Sequence, residues 1–207
     1  MAEAAPTTRD RLLQAARELF TAEGFHGTTT PLISSRAGVA EGTIYRHFPS
    51  KQALLNAVFQ DAQQWGIATI REAASQGGRV GDRLGALART WLDTAAERPA
   101  LMRMLLSWRT EQELDEESLQ AMRAFRTELE QLVAQGKQQG SIRAGVVELW
   151  TLVWLTLVVV AVDRVASGEW SVRHPHTLAT IDAAWEAIAW RPIAAPPPQA
   201  EPTTAGN

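Results

Sequence analysis

Cysteine is absent from the 207 residues. That excludes disulfides, zinc fingers and thiol chemistry. Histidine is scarce, with four in the chain. No H-E-x-x-H, G-x-S-x-G, pair of Glu-x-x-His motifs or phosphate-cradling glycine loop occurs. A catalytic cluster has little to draw on, so no enzyme, resident metal or cofactor is expected. His174-Pro175-His176 resembles a metal tract. Its i, i+2 spacing would turn the two rings to different sides of a helix, so it reads as a helix start. Alternating strand patterns are missing. The N-terminal MAEAAPTTRD lacks the basic-then-apolar order of a secretory signal. The most apolar run, Leu149 to Val162, has 14 residues between Glu148 and Asp163 and contains Thr151 and Thr156. A membrane span needs ~20, so the run reads as a buried helix of a cytoplasmic protein.

What is present is helix punctuated by Gly and Pro. An apolar fraction of 45% supports a core, and 207 residues suit one large domain or two small ones. Nine helical segments are expected. The first, about Thr8 to Glu23, carries Leu12, Leu13, Ala16, Leu19 and Phe20 on one stripe, with Thr7 and Asp10 as a capping box. The second, Pro31 to Ala37, takes Thr30 as cap and ends at Gly38. The third is Glu41 to Phe48. The fourth starts after Ser50 and runs to about Ser75. A fifth is capped by Asp82, a sixth opens at Pro99, and a seventh begins at Asp115-Glu116-Glu117, where acids suit the helix dipole. The eighth spans about Val146 to Ala166. The ninth spans about Pro175 to Ala189, with Leu178, Ile181, Ala184, Trp185 and Ile188 inward. The Pro-rich tail from 191 to 207 reads as disordered.

Charge is unevenly spread. Residues 7–52 hold six cations (Arg9, Arg11, Arg17, Arg36, Arg46, Lys51) and four acids (Asp10, Glu18, Glu23, Glu41), a net +2 in a chain of −3 overall. The remainder therefore carries −5, and only the front is suited to polyanions. Within that front, VAEGTIYRHFPSK follows a short helix after a Gly-containing turn. Two short helices so joined form the helix-turn-helix signature, whose second helix enters the major groove. Thr43 and Tyr45 bring hydroxyls, His47 a ring nitrogen and Arg46 a bidentate fork. Gly42 allows close backbone approach, while Ile44 and Phe48 face inward. Glu41 would repel phosphate unless it accepts from cytosine N4. Thr30 and Lys51 stand at helix starts, where free N–H groups face anions. Plainer alternatives stand beside these: Tyr45 as packing, His47 and Lys51 as solvated surface, and Arg46 paired with Glu41 or Glu23.

The run TTTPLISSRAGVAEGTIYRHFPSKQALL, after a helix ending in ELFTAEGF, closely resembles the N-terminal domain of TetR/AcrR-family transcriptional regulators over about residues 8–60. The G-F before the threonines, R-A-G-V, G-T-I-Y-R-H-F and P-S-K occur in order at family spacing. Two positions depart: Ala40 stands where the family often has a capping Ser, and Ser34 where it often has Ala. A missing cap costs about 1 kcal/mol. The resemblance implies an all-α fold with a helix-turn-helix domain at 8–52 (motif about 31–50, outer limit 68) and a helical ligand-binding and dimerisation domain at 53–190.

All eight tryptophans follow residue 60. Trp150, Trp185 and Trp190 read as core or dimer packing. The family resemblance implies a ligand pocket, for which Trp65, Trp91, Met104, Trp108, Phe125 and Trp154 are the candidates. Such a lining suits a small hydrophobic effector, flat or cationic. The expected protein is a homodimeric regulator, most simply a repressor. Double-stranded DNA with a palindromic operator is its partner, the eighth and ninth helices form its dimer contact, and an effector releases it. An effector-independent architectural DNA binder is the alternative.

Overall fold

The computed structural model describes residues 5–107 and 114–190. Trp108 and the tail at 191–207 lie outside them. Among the described residues there are ten α-helices and one 3-10 turn, with no strand beyond a single bridge, Ile142 with Ala189.

α1 (Thr8–Ala22) has the expected box: Thr7 accepts from Asp10 N, and the Asp10 carboxylate accepts from Thr7 N at 2.9 Å. The Thr7 hydroxyl, which donates to the carboxylate at 2.7 Å, and then the Thr7 N–H hold the Asp10 carboxyl below the ordinary carboxylate range. Leu12, Leu13, Ala16, Leu19 and Phe20 are all buried. A four-residue turn, α2 (Gly24–Gly27), follows; no apolar period announced it. α3 (Thr30–Ala37) is capped by Thr29, whose hydroxyl accepts from Leu32 N, rather than by Thr30. Gly38 closes it in the left-handed region at φ 66°, a conformation open to glycine. The recognition element starts as a 3-10 turn, Glu41–Thr43, and continues as α4 (Ile44–His47). Ala40 supplies no side-chain cap, and Thr43 N bonds Ala40 O at 2.8 Å, the tighter i to i+3 pattern. Ile44 and Phe48 are buried as expected.

α5 (Lys51–Ser75) begins after Ser50, whose hydroxyl accepts from Ala53 N at 3.0 Å. It is one helix of 25 residues, so the boundary expected at 52/53 falls in its first turn. α6 (Val80–Glu97) starts earlier than expected: Arg79 is its N-cap, with no side-chain bond, and Asp82 lies in the first turn. α7 (Pro99–Leu105) and α8 (Glu116–Gln138) follow. The start of α8 is fixed to α5 by buried Asn56, whose Oδ1 accepts from Asp115 N at 3.0 Å and Ser118 Oγ at 2.7 Å. α1 is tied to α5 by an ion pair between buried Arg17 and Asp61. Burial pushes the Arg17 guanidinium down from its ordinary value, against the pull of Asp61.

α9 (Val147–Ala166) and α10 (Pro175–Ile188) pack on each other and against α6. α9 is not the buried helix its sequence suggested. It is long and apolar enough to cross a membrane by length and composition, yet only 33% of its most apolar window is buried. One face, with Trp154, Val158 and Ala161, enters the core; Leu149, Leu152 and Val160 lie on the exposed side, the last two 45% and 44% exposed. Leu178 on α10, expected inward, is 53% exposed. Ala184 and Ile188 are buried, while Ile181 and Trp185 are half-buried. At the head of α10, His174 is the N-cap and lies outside the helix proper. The two histidine rings therefore meet, 4.8 Å apart between centroids, instead of diverging, and Trp170 stacks on His174.

Candidate nucleic-acid interface

The helix-turn-helix is held from beneath by apolar side chains and from its edges by polar ones. Ile33, Ile44 and Phe48 are buried in a core with α1 and the first turns of α5. Arg36 of α3 pairs with Glu18 of α1 at 3.1 Å. Ser34, the departure noted in the sequence, packs fully buried with its hydroxyl unpartnered. What remains outward is the polar set: Glu41, Gly42, Tyr45, Arg46 and His47 are exposed, and Thr43 is half-exposed. A Cβ built on Gly42 would meet nothing within 4 Å, so that backbone is open to an approaching surface.

Tyr45 is 54% exposed, which excludes burial as its purpose. Its hydroxyl lies 3.0 Å from the Thr30 hydroxyl, joining the recognition element to the start of α3. Arg46 makes no ion pair or hydrogen bond among the described residues, so pairing with Glu41 or Glu23 does not occur. Lys51 differs from a free surface lysine. Its ammonium donates to Phe25 O and Thr28 O, each at 2.8 Å, and lies 4.3 Å from the Phe25 ring centre. Two of its three N–H groups are thus spent within the protein. Arg9, which the motif reading passed over, places its guanidinium 5.4 Å from the Phe48 ring centre at the exit of the recognition element.

The candidate ligand residues come together in part. Trp91 stacks on Phe125 at 6.0 Å and tilts against Trp154 at 6.1 Å. Met104 is fully buried nearby in the same core, and Trp65 is half-buried at its margin. The Trp91 N–H donates to Thr69 Oγ1 at 3.0 Å. Leu105 and Phe125 press against the α5 backbone at Gly66, where a Cβ would come within 2.7 Å and 2.8 Å of them. These residues form a closed aromatic layer. The open clefts lie elsewhere: one of about 850 Å³ beside Trp185 and Trp190, another of about 680 Å³ beside Arg17, Asp61 and Arg98. Gln63, buried beside the layer, was not singled out in the sequence; a lone Gln on a helical stripe gives no signal.

A short Gly-linked helix pair with a polar second element, mounted on a helical bundle, is the helix-turn-helix arrangement. Residues 12–58 match the family model for bacterial regulatory proteins of the tetR family. Over 70 residues the chain is 43% identical to the HTH-type transcriptional regulator UidR of Escherichia coli K12, covering 34% of this chain and 35% of UidR. It is 29% identical over 140 residues to the nucleoid occlusion factor SlmA of Marinobacter nauticus, covering 68% of this chain and 71% of SlmA. A putative tetR-family regulator from Shewanella sp. PV-4 superimposes with a TM-score of 0.72 at 28% identity, over 89% of this chain and 100% of its own. The N-terminal quarter of the chain is thus similar in sequence to TetR-family transcriptional regulators, and the fold as a whole is similar to that of a solved structure so described. The chain spans about a third of the length of UidR.

Proposed function

We propose that the protein is a cytoplasmic, homodimeric repressor that binds a palindromic operator and is released by a small hydrophobic effector. The observation that carries the DNA reading is the outward polar set Thr43, Tyr45, Arg46 and His47 on an element whose other face is buried. Thr43, Tyr45, His47 and Gly42 meet base edges, Arg46 reads guanine or grips phosphate, and Glu41 accepts from a cytosine amine. Thr30, Lys51 and Arg9 hold phosphates and set the register.

One recognition element buries too little for tight binding, since specific complexes cover ~1,000–2,500 Å² of protein. A two-fold dimer doubles the contact and demands a palindrome. The exposed apolar side chains Leu149, Leu152, Val160 and Leu178 support a four-helix contact of α9 and α10 with a second copy. The effector is assigned to the aromatic layer of Trp65, Trp91, Met104, Phe125 and Trp154. Opening that layer moves α8 against α5, and α5 carries the motion to Lys51. An effector acts only through its different affinity for the two states.

Selection of bound duplexes from a random pool tests the DNA reading. Two inverted half-sites are expected about one helical turn apart; a single unpaired site or no enrichment would reject the dimeric reading. Operator affinity measured with and without saturating effector tests the coupling, and equal values exclude it.

Two observations favour a second reading, an architectural DNA binder without an effector. The similarity to a nucleoid occlusion factor spans 68% of the chain, and the aromatic layer is closed. Saturable quenching of tryptophan by a hydrophobic dye separates the two, because a permanently filled bundle gives none.

A further inference from the structure

We infer that the effector carries a hydrogen-bond donor in an otherwise apolar frame, recognised by the side-chain oxygen of Gln63; this rests on the effector reading of the aromatic layer.

Gln63 lies on α5, one helical turn before Gly66, and is 2% exposed. Its Nε2 donates to Leu105 O at 3.1 Å. That bond fixes which end of the amide is which, because a carbonyl can only accept. The other end, Oε1, is an acceptor, fully buried, with no partner. Buried amide oxygens are nearly always bonded, and an orphan calls for a physical reason.

The bonding partner of Gln63 and the next turn of α5 connect it to the aromatic layer. Leu105, whose carbonyl holds Gln63, presses its side chain on Gly66 beside Phe125. Phe125 stacks on Trp91, which meets Trp154. The nearest donors of the layer are already committed: the Trp91 N–H is taken by Thr69 Oγ1, and the Thr69 hydroxyl donates to Gly66 O at 2.8 Å. A second buried oxygen, Thr151 Oγ1, is also unpartnered and stands one turn before Trp154 on α9. A hydroxyl can donate or accept, so Thr151 sets no class, whereas Gln63 Oε1 does. It favours an O–H or N–H, gains nothing from a hydrocarbon, and opposes a carboxylate or ether oxygen. The chemical class is therefore a hydroxylated or N–H-bearing aromatic or alicyclic molecule.

Three probes of one shape read this out on the full chain: indole, with an N–H; indene, with a methylene there; and benzofuran, with an oxygen acceptor. Calorimetric titration is expected to give indole about tenfold tighter binding than either of the others, the worth of one well-made buried hydrogen bond. In Gln63→Leu the preference collapses to parity while indene binding persists, which reports a folded, intact pocket. Gln63→Met repeats the measurement where the leucine variant does not fold. Equal binding of all three to the native chain overturns the donor inference and leaves the effector reading standing. A preference that survives loss of Gln63 overturns it too, since the acceptor is then another group. If none of the three binds saturably, the effector reading of the layer falls, and this inference with it.

Discussion

The hydroxyls of Thr30 and Tyr45 lie 3.0 Å apart, joining the first residue of α3 to the exposed face of α4. The bond fixes the direction of a phenol that would otherwise sweep freely in solvent. Tyr45→Phe and Thr30→Val are each expected to weaken operator binding several-fold while changing stability by less than about 0.5 kcal/mol, as exposed sites do. The double variant should lose less than the sum, because both act through one bond. Fluorescence anisotropy on a labelled operator checks this; full additivity would mean that the two hydroxyls work separately.

Lys51 is expected to behave as a structural residue as well as a contact. Its ammonium bonds Phe25 O and Thr28 O. Lys51→Met keeps the stem over the Phe25 ring and strands both carbonyls. The expected loss is about 1.5–3 kcal/mol of stability, the range for bonds to a charged group, read by urea denaturation. A loss of DNA affinity at unchanged stability would instead make it a phosphate contact alone.

Gly66 marks the tightest packing of the layer. Gly66→Ala sets a methyl within 2.7 Å of Leu105 and 2.8 Å of Phe125. Overpacking of this kind costs about 1–3 kcal/mol, offset in part by the better helix propensity of alanine. Thermal melting should fall by several degrees. An unchanged melt would mean that α7 and α8 yield at no cost, so the layer is loosely held.

The capping box of α1 gives a pH signature. Its bonds from Thr7 lower the Asp10 pKa below the ordinary value. A depressed carboxyl stabilises the fold above its unfolded pKa, about 3.9, and loses that contribution as pH falls through its lowered folded value. The melting difference between native protein and Asp10→Ala should be full at pH 6 and shrink towards zero below pH 3. A difference that stays constant with pH would assign it to packing.

Leu152→Asp and Val160→Asp test the apolar surface of α9. Both residues are largely exposed, so a single chain tolerates the change. Light scattering should report monomer in place of dimer, and operator affinity should fall by orders of magnitude. A dimer that persists places the contact on another face.

The fold was legible wherever a local signal set an element's end. Thr7 with Asp10, Ser50 and Gly38 act within four residues of where they stand, and each appeared in its predicted role. Three adjacent threonines defeated the cap of α3, since Thr29 and Thr30 offer the same hydroxyl and only backbone direction separates them. The 3-10 start of the recognition element was half-legible, in the alanine that replaces a capping side chain at 40. The anchoring of Lys51 was not legible for another reason. Its partners are carbonyls 26 and 23 residues away, and carbonyls leave no mark on a sequence. Leu178 read as core because apolar period reports a greasy face without saying whether the same chain covers it. The orphan oxygen of Gln63 depends on five helices meeting, and no spacing rule encodes that.

The unbroken run of α5 from Lys51 to Ser75 has a mechanical corollary. At 1.5 Å per residue it is a rod about 37 Å long. Tilting such a rod by about 5° swings its far tip by about 3 Å, close to the ~3.4 Å separating stacked base pairs along one strand. In the proposed coupling, so small a tilt at the tryptophans would displace the DNA-facing end by a sizeable part of one base step.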